Sequence, residues 1–207
     1  NNGCWIAAFE KVPANFGDVF PDSDYFFRET QQAAFIGSYC ADFRKKTWQS
    51  SEVLDSIFGI GKESEKSIKS WLEIVHPDDR VMMNNYLENN VIANREPFRK
   101  EYRILRQNDN ETRWVMGLGQ ASFDDEGNII LLMGTIQDIT EQKQTEAALI
   151  ESETHFRTLT DSGQALIWTS DLDQKCNYVN KPWLTFRGRT LEQDLGDGWQ
   201  EGIHPKD

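Results

Sequence analysis

Alternating apolar and polar positions in the middle of the chain predict three long strands. Between residues 98 and 106, apolar side chains on one face alternate with charged side chains on the other, and Lys100 interrupts the apolar face. This two-residue period is typical of a half-buried antiparallel strand. Residues 112–123 and 129–139 follow after polar turns and predict two further strands.

Shorter elements are predicted before these strands. Ser51 and Gly59 are suited to begin and end a short helix, and Asp78, after Pro77, is suited to begin a longer one. The sequence predicts two short strands and then three helices, over residues 36–43, 46–49, 53–58, 64–74 and 80–93. Strands and helices in this order favour an α+β fold, with a sheet of about five strands and the helices on one side.

A polar segment without Gly or Pro follows the last strand and predicts a long helix from Thr140 to about Leu159. Thr140 is a favourable N-cap residue. Leu149, Phe156 and Leu159 stand at the spacing of a coiled-coil seam. Because this seam is short, an exposed connector between two modules is the alternative interpretation.

One phrase of nine residues occurs twice in the chain. Residues 71–79 return as residues 199–207, with Trp, Glu, His, Pro and Asp in register at an offset of 128, and residues 36–42 align with residues 165–171 at an offset of 129. Self-similarity over the length of a small domain indicates a duplicated structural unit. We therefore expect one complete module and the front part of a second, both cut from a longer protein.

Composition narrows the possible functions. The formal net charge of -12 argues against binding to nucleic acid or to an anionic membrane surface. No apolar run approaches the roughly 18–20 residues of a membrane span. Cys4, Cys40 and Cys176 are scattered and form neither a disulfide framework nor a zinc motif. We expect a cytoplasmic fragment without direct membrane contact, although segments outside it could attach the parent protein to a membrane.

Three phrases together resemble a PAS domain with its C-terminal PAC motif. They are Trp71 with His76-Pro77-Asp78-Asp79, then Glu101-Tyr102-Arg103-Ile104 with Arg113-Trp114-Val115, and finally Gly134-Thr135-Ile136-Gln137-Asp138-Ile139-Thr140-Glu141-Gln142-Lys143. The resemblance implies a five-stranded antiparallel sheet with short helices on one face. It implies a complete PAS domain at residues 33–139, a linker helix at 140–160 and the truncated front of a second PAS domain at 161–207. Residues 1–32 lie outside it; their fold is uncertain, with a helical lead-in near 28–34.

The resemblance also implies a function. Tandem PAS modules are typical of bacterial sensor histidine kinases of two-component phosphorelay systems, so we expect a sensory region that is non-catalytic, dimeric and linked to kinase domains in its parent. Asp138, Ile139 and Thr140 would pass a change in the sheet into the 140–159 helix. Two alternatives stay open: a ligand-free protein-interaction module, and the sensory part of a diguanylate cyclase.

PAS domains often hold a small molecule between the sheet and the short helices. By strand parity and composition, the candidate ligand contacts are Tyr39, Trp48, Lys100, Tyr102, Trp114, Met116 and Met133. Plain core packing is the simpler explanation for the apolar members of this set. Lys100 could meet an anionic ligand or remain in water. The identity of any cofactor stays open.

Histidine and cysteine positions disfavour haem, a covalently reacting flavin and metal. His76 and His204 each stand alone before a proline, where a turn-forming role is favoured. No cysteine lies in the motif of a photoreactive flavin domain. His155 lies on the predicted linker helix, but Phe156 follows it where a phosphoacceptor sequence has an acidic residue. We therefore expect neither a catalytic residue nor a metal site.

Overall fold

The structure is a computed structural model that describes residue 31 and residues 33–202. Cys4, His204 and most of the predicted lead-in near 28–34 lie outside the described residues. The chain divides into two compact units, with the boundary between Glu141 and Gln142. Each unit is described by itself.

Five antiparallel strands form the sheet of the first unit. They are β1 (Ile36–Asp42), β2 (Thr47–Ser50), β3 (Phe98–Leu105), β4 (Thr112–Phe123) and β5 (Ile129–Asp138). Their spatial order is β2-β1-β5-β4-β3, so β1 pairs with β5, which is far from it in the sequence. The predicted α+β fold with a five-stranded antiparallel sheet is confirmed.

Short helices connect β2 to β3. They are α1 (Glu52–Phe58), α2 (Ile68–Ile74) and α3 (Arg80–Tyr86), with a 3-10 turn (Pro77–Asp79) before α3 and a π-helical segment (Leu87–Ala93) after it. The helix predicted over 64–74 begins later than expected, because Ser67 and Ser70 form a reciprocal capping box. The sequence predicts that Asp78 caps α3, and this prediction is wrong. Asp78 lies inside the 3-10 turn, where its N–H donates to Nδ1 of His76.

The core of the first unit lies between these helices and one face of the sheet, here called the inner face. The side chains of Leu54, Tyr102, Ile104 and Val115 are among those that are almost completely buried in it. Helix α1 crosses β1 very closely. A Cβ atom on Gly37 would lie 2.5 Å from Cβ of Leu54, so only glycine allows this approach.

The second unit contains most of a long helix and a short hairpin with two further helices. Helix α4 (Thr140–Ser162) begins in the first unit and extends three residues beyond its predicted end. It is followed by β6 (Trp168–Ser170), β7 (Cys176–Val179), α5 (Lys181–Arg187), α6 (Leu191–Asp194) and a 3-10 turn (Gly198–Gly202).

Ser51 and Asn180 begin α1 and α5 in the same way, at the offset of 129 residues seen in the sequence. Each side-chain oxygen accepts one N–H from the preceding strand region and one from the first turn of its helix. The donor-to-acceptor distances are 3.0 Å from Ser38 and 3.3 Å from Leu54 to Ser51, and 3.0 Å from Ile167 and 3.2 Å from Trp183 to Asn180.

The hairpins and helix ends repeat at the same offset. Tyr39 pairs with Ser50 in the first unit, and Trp168 pairs with Val179 in the second. Glycines with positive φ end α1 and α5, with φ of 67° in the first case and 65° in the second. The pairing at the start of the hairpin and the boundaries of the following helix therefore agree between the two units, whereas the second hairpin has a register shift after Thr169.

Candidate functional site

An apolar cavity of about 50 Å³ lies between the inner face of the sheet and the helices of the first unit. Strands and the β1–β2 turn contribute most of its walls, and α1, α2 and the π-helical segment contribute the remainder. The lining residues are Tyr39, Ala41, Phe43, Trp48, Leu54, Phe58, Ile68, Trp71, Leu87, Phe98, Tyr102, Leu132 and Ile136. Such a cavity is suited to a small apolar molecule.

Three of the seven predicted ligand contacts line this cavity, namely Tyr39, Trp48 and Tyr102. Lys100 is not among the lining residues. Its Nζ lies 5.2 Å from the centre of the Tyr86 ring, a cation–π distance. The structure therefore gives Lys100 an aromatic partner within the protein.

Trp114, Met116 and Met133 lie on the opposite, outer face of the sheet. Side chains of a strand alternate between its two faces. In β4, Val115 is fully buried in the core, so its neighbours Trp114 and Met116 point away from the cavity. In β5, Leu132 is buried in the core, so its neighbour Met133 points away from the cavity. Met133 is 50% exposed. The expectation that these three side chains face the cavity is wrong.

Hydroxyl and indole groups supply the polar atoms of the cavity wall. The Trp48 indole N–H donates to the Ser67 carbonyl at 2.9 Å, and the Tyr39 hydroxyl donates to the Leu118 carbonyl at 3.4 Å. The Tyr102 hydroxyl is buried, and its hydrogen has no acceptor among the described residues. Leaving such a group unpaired costs about 1–3 kcal/mol.

Burial controls the ionisation of both cavity tyrosines. Burial raises the pKa of Tyr102, and the Trp71 side chain offsets part of that rise. Burial also raises the pKa of Tyr39, with smaller contributions from Tyr102 and Tyr86. Both hydroxyls therefore stay protonated at neutral pH and can donate hydrogen bonds.

A polar cluster that the sequence analysis missed holds one wall of the cavity. Lys66 Nζ lies 2.8 and 2.9 Å from the two carboxylate oxygens of Asp55 and 2.7 Å from Oγ of Ser50. The same ammonium group lies 5.5 Å from the centre of the Trp48 ring. Lys66 thus joins α1, β2 and the segment that leads into α2. No local spacing in the sequence indicates this contact.

The three predicted relay residues join β4 and β5 to the start of α4. The Thr140 hydroxyl accepts the Trp114 N–H at 3.0 Å, and the Ile139 N–H donates to the Trp114 carbonyl at 2.9 Å. Asp138 accepts the Thr140 N–H at 2.9 Å and forms an ion pair with Arg113 at 3.0 Å. We call Arg113, Trp114, Asp138, Ile139 and Thr140 the junction. Asp138 thus accepts the first backbone N–H of α4.

A family model described as the PAS fold matches residues 47–136, which run from β2 almost to the end of β5. The chain contains a PAS domain. A solved structure agrees with this assignment: a sensory box histidine kinase/response regulator from Burkholderia thailandensis is 26% identical, with a TM-score of 0.54. This match covers 64% of the present chain and 98% of the solved chain.

Curated relatives are much longer than this chain. Protein y4lL of Sinorhizobium fredii, uncharacterized, is 29% identical over 66% of the chain, and the peroxide stress-activated histidine kinase mak1 of Schizosaccharomyces pombe is 24% identical over 79%. A probable diguanylate cyclase, DgcE of Escherichia coli, is 25% identical over 80%. The chain spans only 16%, 10% and 15% of the lengths of these relatives, respectively.

The repeated His-Pro phrase has a structural place in the PAS domain. Asp79 accepts hydrogen bonds from the backbone N–H, Nε and a terminal nitrogen of Arg103, at 2.9, 3.1 and 2.6 Å. The His76 N–H donates to the Arg103 carbonyl at 2.9 Å. These contacts fix the turn after α2 against β3. The side-chain hydrogen bond from Arg103 is the main reason that the pKa of Asp79 is lowered.

Within residues 33–202, no three His, Cys, Asp or Glu side chains are grouped as metal ligands. In the same part of the chain, no helix has the length and apolar character needed to cross a membrane. Cys40 is half-buried on β1 and Cys176 is buried on β7; burial raises the pKa of the Cys176 thiol.

Proposed function

We propose that the PAS domain is the sensory, non-catalytic input module of a longer signalling protein, and that it acts through helix α4. A change in the occupancy of the cavity would shift the sheet, and the junction would pass this shift into the first turn of α4. Strand β5 supports this route because Leu132 and Ile136 line the cavity and the same strand ends at Asp138.

The junction is the observation that carries this proposal. Between the last residue of β5 and the first residue of α4 there is only Ile139, which is 6% exposed. Polar contacts made by three residues on the β5–α4 side and two on β4 hold this connection. A helix held so tightly at its first turn cannot keep its direction if β4 and β5 move relative to each other.

For the output of the parent protein we favour a histidine kinase. The relative mak1 and the solved Burkholderia thailandensis structure are both described as histidine kinases. The relative DgcE supports a diguanylate cyclase as the second candidate. In either case the catalytic domains would lie outside this chain. We place the module in the cytoplasm because Cys40 and Cys176 are free thiols.

We further propose that residues 161–202 are the opening of a second PAS module. The matching residue pairs at the start of the two hairpins and the matching caps at Ser51 and Asn180 support this assignment. These contacts are independent of the repeated His-Pro phrase, because they involve other residues. Residues 203–207, which complete that phrase, are outside the described part of the chain.

A homodimer through α4 is consistent with the surface of that helix. Leu149, Phe156 and Leu159 are 68%, 47% and 61% exposed, respectively, and they stand at the spacing of a coiled-coil seam. A pure interaction module, with its cavity unused, would present the same seam. Sedimentation equilibrium tests the dimer: a monomer at all accessible concentrations would contradict it.

The relay can be tested by removing the Asp138 carboxylate in the parent protein. We expect Asp138→Ala to uncouple the output from the input, because it removes both the acceptor of the Thr140 N–H and the partner of Arg113. An insertion of two residues after Gln144 should have the same effect, since it rotates the remainder of α4 by about 200°. The measurement is the autophosphorylation or cyclase rate of the parent with and without its stimulus.

Arg44→Gln is a suitable control for this experiment. Arg44 is an exposed residue that also pairs with an aspartate, Asp42, at 3.8 Å, but it lies far from the junction in the sequence. The control should respond to the stimulus normally. If Asp138→Ala and the insertion respond as the control does, the relay through the junction is wrong.

A further inference from the structure

The Tyr102 hydroxyl indicates what kind of molecule the cavity accepts. Tyr102 is fully buried in β3 and lines the cavity, and its hydroxyl hydrogen has no acceptor among the described residues. The Trp71 ring meets the Tyr102 ring edge-on, with centroids 6.3 Å apart. Because an indole nitrogen only donates, Trp71 cannot accept the hydroxyl hydrogen of Tyr102. A molecule with an acceptor oxygen would complete this hydrogen bond.

The walls of the cavity exclude charge from the molecule that enters. None of the lining residues that the structure describes carries a charged side chain. Lys66 is not a lining residue; it lies over the Trp48 ring and is already bound by Asp55, and Lys100 lies over the Tyr86 ring. An ion that enters such surroundings loses its hydration and gains no partner. The cavity therefore favours an uncharged molecule.

The volume of the cavity limits the size of that molecule. A cavity needs roughly 10–15 Å³ to hold one water molecule. The 50 Å³ available here thus corresponds to about three to five non-hydrogen atoms. A flavin or a haem has many times this number of atoms.

We propose that the cavity binds a small uncharged molecule with an apolar body and one acceptor oxygen, of the class of short-chain ketones and ethers. The oxygen accepts the hydrogen of Tyr102, and the apolar body packs against Leu54, Leu132 and Ile136. This inference rests on the proposed function in one respect, namely that the cavity is the input site of the module.

Two isosteric probes separate the hydrogen bond from simple cavity filling. Butanone carries an acceptor oxygen where 2-methyl-1-butene carries a methylene group of nearly the same size. The full 207-residue chain is titrated with each probe, and methyl NMR signals of Leu132 and Ile136 report binding. We expect both signals to shift and butanone to bind more tightly. Tyr102→Phe should weaken butanone binding about two- to tenfold and leave 2-methyl-1-butene unchanged.

Two further measurements make the outcome decisive. Ala41→Val fills part of the cavity and should weaken both probes, which shows that they bind inside it. Sodium butyrate, a charged compound of similar size, should leave the methyl signals unchanged. The proposal is overturned if neither probe shifts these signals, if Tyr102→Phe binds butanone as the natural chain does, or if butyrate binds as tightly as butanone.

Failure of this inference and failure of the proposed function are distinguishable. If butanone does not bind but Asp138→Ala uncouples the parent, the ligand class is wrong and the relay stands. If butanone binds at Tyr102 but Asp138→Ala leaves the output unchanged, the cavity is a binding site and the relay is wrong.

Discussion

Single residues fix the register between distant parts of the PAS domain, and Asp79 is the clearest case. Its side chain is 12% exposed and contacts Arg103, 24 residues further along the chain. We expect Asp79→Asn to lower the free energy of unfolding by about 1.5–3 kcal/mol, because the hydrogen bonds from Arg103 lose their charged acceptor. Urea denaturation at neutral pH measures this change.

The ion pair of Asp79 with Arg103 also predicts that the free energy of unfolding depends on pH. The folded state lowers the pKa of Asp79 below its ordinary value of 3.8. The contribution of ionised Asp79 to stability is therefore complete at pH values above the ordinary pKa and is lost as the pH falls through the lowered pKa. The difference between the natural chain and Asp79→Asn should be constant above about pH 5 and shrink below about pH 4. A difference that grows in acid would contradict this account.

Glu153→Gln is the control for Asp79→Asn. Glu153 forms an ion pair with Arg157 at 2.8 Å within one exposed face of α4. Such pairs contribute only about 0.3–0.5 kcal/mol. The control should change the free energy of unfolding by no more than that amount, at any pH.

Strand parity could be predicted for β3 but not for β4 and β5. In β3, charged residues alternate with apolar ones, and Phe98, Tyr102 and Ile104 are buried as the sequence predicts. In β4 and β5, large apolar residues such as Met116 and Met133 stand on the outer face next to core residues. Continuous apolar runs do not define which face is buried. The wrong assignments therefore fall on these two strands.

At the scale of elements, the close crossing of α1 over β1 shapes the cavity wall. A Cβ atom on residue 37 would lie 2.6 Å from Cα of Leu54, and Leu54 lines the cavity. We expect Gly37→Ala to push α1 away from the sheet and to lower the free energy of unfolding by about 1–3 kcal/mol. Thermal unfolding followed by circular dichroism measures the change.

Gly61→Ala is the matched control for Gly37→Ala. A Cβ atom at residue 61 meets only Oγ of Ser64, at 3.8 Å, and the backbone there needs no positive φ. The control should unfold at nearly the natural temperature. Equal effects of the two substitutions would show that the crossing at Gly37 is not what limits stability.

Element types were predictable, whereas several element boundaries were not. The strands over 112–123 and the start of α4 at Thr140 agree with their sequence patterns. The late start of α2 depends on the Ser67–Ser70 capping box, and the π-helical segment after Tyr86 has no local sequence signature. Apolar periodicity reports neither of these features.

At the scale of the whole molecule, the features that could not be predicted from the sequence depend on contacts between distant residues. The sheet closes through the pairing of β1 with β5, and the junction depends on the register of β4 with β5. The repeated phrase indicated duplication, and the matched caps of Ser51 and Asn180 give that idea a geometric basis. The Lys66–Asp55 contact became visible only in three dimensions.

The central claim is that a change in the cavity reaches the first turn of α4. Ala41→Val tests it without a ligand, because Ala41 lines the cavity and pairs with Leu132 of β5. Ala93→Val, at an exposed position of the π-helical segment, is the control. Residue-resolved hydrogen exchange of the Trp114, Ile139 and Thr140 amides is the direct measurement. We predict that Ala41→Val changes these exchange rates several-fold while Ala93→Val does not; unchanged rates at all three amides in Ala41→Val would contradict the claim.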